Sequence, residues 1–192
     1  MRKIICTIIV IALTTFLFTF VSAQDKKPAE PPKAAAGPSQ ELLWGWNDIG
    51  NKLIAMAEDF PEEKYGFKAQ KDERTFGENI LHVAYDNNIM INALKGISVR
   101  IAWNEDSLQK LYVTKESIVN YLKQAVNDGA ELIKAQGDSG LTSEFKFPWA
   151  NMMAHRSFGW MGTLEHSGEH YGQLVVYYRV NDMIPPASRP KK

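Results

Sequence analysis

Beyond Cys6 the sequence contains no cysteine. Past that point the protein works without a disulfide, a thiolate nucleophile or a thiolate metal ligand, so any metal must be held by His, Asp or Glu. Excess charge is missing too: 22 basic residues stand against 22 acidic ones. That removes the electrostatic basis for binding DNA, RNA or an anionic membrane surface. No internal repeat is present. Apolar residues make up 45% of the 192 positions, which suits one domain with its own core and excludes both a disordered chain and a membrane bundle.

The N-terminus carries a clear local signal. Met1-Arg2-Lys3 is a short basic stretch, Ile4 to Val21 is apolar apart from threonines and Cys6, and Val21-Ser22-Ala23 offers small residues at cleavage-site positions. This predicts a secretory signal peptide over residues 1–23, removed to leave Gln24 first. An uncleaved membrane anchor is the alternative for an apolar stretch of this length. Cleavage leaves no stable membrane anchor and places the protein in the periplasm or outside the cell. Residues 24–38 hold four prolines among Ala and Lys and read as a flexible or semi-extended tether.

From Ser39 the pattern turns helical. Leu42, Leu43, Trp46, Ile49, Leu53, Ile54, Met56 and Ala57 recur at three- and four-residue spacing, and Pro61 closes the helix. Thr75 and Glu78 form a capping box that opens a second helix, and Gly96 ends it. Residues 97–113 read as a connection, since the alternating segment Ile97 to Ile101 has no partner strand. Thr114 caps a third helix that Gly137 ends. A loop containing Phe145 to Trp149 leads to a fourth helix, which starts between Asn151 and Ser157 and stops before Pro185-Pro186. The expected fold is all-α, a four-helix bundle over residues 39–188, followed by a basic tail at 189–192.

Past the leader there are four histidines: His82, His155, His166 and His170. His166 and His170 are four apart on the fourth helix, which puts their Cβ atoms about 5–6 Å apart on one face. Two imidazoles so placed can share one ion, and His82, on the second helix, is the candidate third ligand. Three neutral imidazoles leave a coordination position open, the plan of a catalytic zinc site. The bland alternative is a pair of half-exposed polar residues. Gly159, Gly162, Gly168 and Gly172 argue for a closely approaching helix, because each costs about 1 kcal/mol against Ala in a helix interior. Asp86, one turn from His82, is a candidate partner that would fix the ring's tautomer. Tyr85 could hydrogen-bond a group on the metal, and Glu165 or Glu169 could serve as a base. His155 lies about 16 Å along the helix from His166, too far to share its ion, and reads as a polar residue near the helix start. The five tryptophans, Trp44, Trp46, Trp103, Trp149 and Trp160, suit either the core or an aromatic pocket.

The segment Glu165-His166-Ser167-Gly168-Glu169-His170-Tyr171-Gly172-Gln173-Leu174 resembles the last-helix signature of the DinB-like (YfiT-like) family, in which two histidines four apart precede a Gly-Gln. Thr75 to Ala84 is similar to that family's second helix, where the remaining metal histidine resides, and Arg179 to Ser188 to the tail of one branch. The likeness spans residues 39 to 188. It implies an up-down-down-up bundle, a His82–His166–His170 site for one divalent ion, zinc or nickel foremost, and a homodimer. Tyr171 stands where many relatives have a second His, and the Arg before the glycine is missing, so the resemblance implies the ligand set rather than a particular reaction. Relatives resemble metal-dependent hydrolases or transferases that use small thiols. An exported address disfavours thiol chemistry, leaving hydrolysis of a small molecule as the leading expectation and a non-catalytic envelope metal- or ligand-binding protein as the alternative.

Overall fold

The computed structural model describes residues 37–99, 101 and 106–190. The expected leader, the expected tether as far as residue 36, Trp103 and residues 191–192 lie outside the described residues.

Four long helices dominate: α1 (Pro38–Asp59), α2 (Phe76–Leu94), α4 (Lys115–Gly140) and α5 (Arg156–Val180). Their ends follow from sequence chemistry. Pro38 supplies the first turn of α1, where its missing N–H costs nothing. Thr75 and Glu78 complete their capping box at α2, the Thr75 N–H donating to Glu78 Oε2 at 2.7 Å and the Glu78 N–H to Thr75 Oγ1 at 3.2 Å. At the other end Gly96 takes φ +76°, and the Gly96 and Ile97 N–H groups donate back to the carbonyls of Ala93 and Asn92. That is the paired bonding of a glycine-terminated helix. Thr114 caps α4 together with Ser117.

Three expectations need correction. The connection over 97–113 contains a short helix, α3 (Asp106–Leu111), too brief for periodicity to reveal. Gly137 does not end α4. It adopts φ 59°, ψ −169° and kinks the helix, which continues to Gly140. The segment expected as a loop before α5 holds a hairpin of β1 (Glu144–Lys146) and β2 (Met153–His155), antiparallel with Phe145 opposite Ala154.

α1 and α2 each pack on both α4 and α5 and scarcely touch one another, so each pair is diagonal in the bundle. Contacts along the seams fix the directions. Trp46 meets Trp160 at one end of α1, while Tyr178 donates to the Met56 carbonyl at the other, so α1 and α5 are parallel. Lys115 donates to the Phe60 carbonyl and Gly129 abuts Trp46, so α4 is antiparallel to α1. Asn79 meets His170 and Met90 meets Gly159, so α2 is antiparallel to α5. The result is up-down-down-up.

The core falls into two apolar clusters. One surrounds Phe60, Phe76, Leu122 and Tyr178, the other Trp46, Leu94, Ile133 and Trp160. On α5 the two are separated by a buried polar stretch containing Thr163, Ser167 and His170. Past α5 the chain turns back onto α1. Arg189 grips Asp59 with both terminal guanidinium nitrogens, at 2.8 and 2.5 Å, and this holds the Asp59 carboxyl below the usual carboxylate range. The basic tail therefore begins as a docked residue.

Candidate metal centre

The capping box sets the phase of α2, so that Asn79, His82, Asp86, Asn87 and Met90 share a face at three- and four-residue spacing. The same spacing on α5 aligns Gly159, Thr163, His166, Ser167 and His170. Antiparallel packing then brings the histidines together. Ring centroids are 5.2 Å apart for His82–His166, 4.8 Å for His82–His170 and 4.5 Å for His166–His170. One nitrogen from each ring lies within 4.8 Å of the other two.

The rings differ in setting. His170 is 4% exposed. Its Nδ1 lies 2.8 Å from Asn79 Oδ1, and the Asn79 amide is itself oriented by donating to Gln173 Oε1 at 3.1 Å. With Asn79 presenting its oxygen, His170 Nδ1 carries the proton and Nε2 keeps its lone pair. Burial, followed by the neighbouring His166 and His82, pushes the His170 pKa down to about 3. The ring is thus neutral at physiological pH, the form that ligates metal. His82 and His166 are half-buried, and Asp86 Oδ2 lies 3.4 Å from His82 Nε2 and 3.1 Å from His166 Nε2. That short distance to His166 is not a hydrogen bond: the carboxylate lies off the direction of the ring N–H, and Nε2 is buried without a hydrogen-bonding partner. A buried ring nitrogen left open in this way costs stability unless something else fills the direction in which it points. Three imidazole nitrogens and one carboxylate oxygen, with no lysine among them, suit a borderline divalent cation.

The centre opens on one side. A cleft of about 420 Å³ is lined by His82, Asp86 and His166 at its polar end, by Met90, Phe147, Trp149, Phe158 and Gly162 along its walls, and by Glu165. Phe147 and Trp149 come from the turn of the hairpin. His170 lies behind the other two rings, outside the lining.

The remaining candidates fall as follows. Asp86 contacts both His82 and His166, where the sequence suggested His82 alone. Tyr85 lines a separate cleft with Asn88, Asn92 and Tyr121. Glu169 is exposed and does not line the cleft, whereas Glu165 does. His155 is exposed at the junction of β2 and α5. Trp46 and Trp160 are core residues, Trp149 is a cleft wall and Trp44 is exposed. The close-approach reading of the α5 glycines fails at three positions. A Cβ on Gly162, Gly168 or Gly172 would meet nothing within 4 Å, and only Gly159 is crowded, 2.8 Å from Phe145 Cζ. Close helix approach occurs instead between α1 and α4. Sequence reasoning missed Asn79, Asn87 and Ser167, whose hydroxyl donates to Asn87 Oδ1 at 3.3 Å. Their signal was present as polar residues sharing a helix face with the histidines.

Fold and site together define an up-down-down-up helical bundle with a three-histidine cluster at the mouth of an aromatic cleft. Residues 48–174 match the DinB superfamily, a span that includes all three histidines, and the chain belongs to that family. It is similar to a DinB-like protein from Bacillus cereus, with TM-score 0.63 and 16% identity over 77% of this chain and 95% of that one. It is also similar to an uncharacterised protein from Escherichia coli UTI89, with TM-score 0.58 and 20% identity over 78% and 99% of the two chains. At these identities the likeness speaks for the fold alone. No curated protein matches the chain.

Proposed function

We propose that this is an exported, metal-dependent hydrolase of a small molecule, holding one divalent ion through His82, His166 and His170. The observation that carries the reading is the convergence of one nitrogen from each of three imidazoles within 4.8 Å of one another, with His166 Nε2 buried and without a hydrogen bond, at the end of an open cleft. A divalent ion in such a site supplies Lewis acidity and lowers the pKa of water toward about 7.

The protein's own groups divide the remaining work. Asn79 and Gln173 hold the His170 ring so that its Nε2 lone pair faces the cluster. Asp86 Oδ2, beside two ring nitrogens and at the cleft, is the carboxylate placed to accept a proton from an attacking water. Phe147, Trp149 and Phe158 exclude bulk water from one side of the substrate. The exported address is supported by Arg2-Lys3, the apolar stretch behind it and Val21-Ser22-Ala23. A specific feature favours a second reading, a non-catalytic ligand-binding protein of the envelope: among the described residues no lysine or arginine lines the cleft to stabilise an oxyanion.

Mass spectrometry on the exported protein tests both address and site. The expected result is a chain starting at Gln24 with about one divalent ion, and His166→Ala losing that ion. Wild type that takes up no metal after incubation with zinc or nickel overturns the metal reading. Hydrolysis that is found and survives EDTA unchanged overturns the metal's part in it.

A further inference from the structure

The chemistry of the cleft walls restricts what can enter. Three aromatic rings meet there without stacking. Trp149 is inclined 65° to Phe147 at 5.7 Å between centroids, and Phe158 is inclined 57° to Phe147 at 5.5 Å. Rings set at such angles form the corner of a box rather than a slot for a flat molecule. Met90 adds a polarizable thioether, and Gly162 leaves the adjoining wall bare, since a Cβ there would touch nothing within 4 Å. The charge is one-sided. Asp86 and Glu165 bring carboxylates to the cleft, and among the described residues no lysine or arginine lines it. Aromatic faces carry the negative side of the ring quadrupole and attract cations, a preference a nearby carboxylate reinforces. An anionic ligand would meet two carboxylates and three electron-rich faces, with no positively charged side chain among the described lining residues to compensate.

We propose that the cleft beside the histidines selects a small organic ammonium with an aromatic or branched alkyl body, the cationic head lying among Phe147, Trp149, Phe158 and Glu165. This rests on the reading of the same cleft as the reaction site, and it names the substrate class: an ester or amide whose cationic end is held by the aromatic corner while its scissile carbonyl reaches toward Asp86 and the histidines. A volume of about 420 Å³ suits a molecule of this size.

Calorimetric titration of the full chain at neutral pH, as purified and after EDTA treatment, provides the test. Three probes share one body and differ in charge: phenethylammonium, phenethyl alcohol and 3-phenylpropionate. The ammonium is expected to bind about tenfold tighter than the alcohol, and in the EDTA-treated protein the carboxylate more weakly than either. Glu165→Gln should bring the ammonium to within about twofold of the alcohol. Gly162→Leu should remove binding of all three by filling the wall, with the circular dichroism spectrum and metal content of wild type, because its side chain grows into open space. Equal affinity for alcohol and ammonium overturns the proposal, as does tightest binding of the carboxylate after EDTA treatment or full binding by Gly162→Leu. Binding that disappears with EDTA also overturns it, since the amine would then be a metal ligand. A chain that takes up no metal but keeps the ammonium preference loses the hydrolase reading and keeps this one.

Discussion

Between α1 and α4 the bundle is closed by glycine and tryptophan; between α2 and α5 it is closed by amides, hydroxyls and an imidazole. On the first seam a Cβ on Gly50 would lie 2.6 Å from Val126 Cγ1, and one on Gly129 would lie 2.4 Å from Trp46 Cζ2. Trp46 is 1% exposed, and its indole N–H donates to the Val126 carbonyl at 2.7 Å. On the second seam lie all the buried polar side chains found among the described residues: Asn79 and Asn87 on α2, Thr163, Ser167 and His170 on α5. Burying such groups costs free energy that their hydrogen bonds only offset, whereas close-packed apolar contact stabilises outright. The contrast separates what holds the bundle together from what the bundle holds.

The sharpest way to break that comparison is to damage the dry seam. Trp46→Ala removes the largest side chain between α1 and α4 and its hydrogen bond. The expected loss is about 3–5 kcal/mol in denaturant unfolding, with the folded fraction still binding about one metal ion per chain. Metal stoichiometry that falls in step with stability would mean the two seams are not separable. The matching experiment on the polar seam is Asn79→Ala, which leaves His170 Nδ1 without its acceptor and frees the ring to turn. Metal affinity in a chelator competition should weaken by about 10–100-fold, while the metal-free protein loses about 1–3 kcal/mol. Unchanged affinity would show that packing alone orients His170.

The two seams were unequally legible in the sequence. Helix limits on α2 could be read because Thr75, Glu78 and Gly96 act through local backbone chemistry, with partners within a few residues. The histidine cluster could be read in half: His166 and His170 share a helix at a fixed spacing, but only the antiparallel packing of α2 brings His82 to them. The hairpin was hidden because strands of three residues are shorter than any alternation can establish, and with it went the aromatic wall of Phe147 and Trp149. Asn79 drew no notice because its role depends on two residues of another helix, His170 and Gln173. Helix α5 is the hardest case. Apolar Phe158, Met161, Val176 and Val180 are exposed while His170, Ser167 and Thr163 are buried, so hydrophobic periodicity points the helix only weakly.

The glycines of α5 were misread for a related reason: sequence shows that a side chain is missing, not which way the gap faces. The structure turns this into a test with opposite signs along one helix. Gly168 and Gly172 are exposed and helical, and a Cβ added to either would have nothing within 4 Å. Alanine at either should restrict the unfolded chain and improve helix propensity, raising stability by up to about 1 kcal/mol each in thermal or denaturant unfolding. Gly159→Ala should go the other way, because its Cβ would press on Phe145 Cζ at 2.8 Å and Met90 Sδ at 3.1 Å, and Phe145 is itself buried. If Gly168→Ala and Gly172→Ala instead destabilise, and do so more at higher protein concentration, then that face of α5 is covered in solution by a second copy of the chain. The polar seam would in that case be the inner layer of a larger assembly.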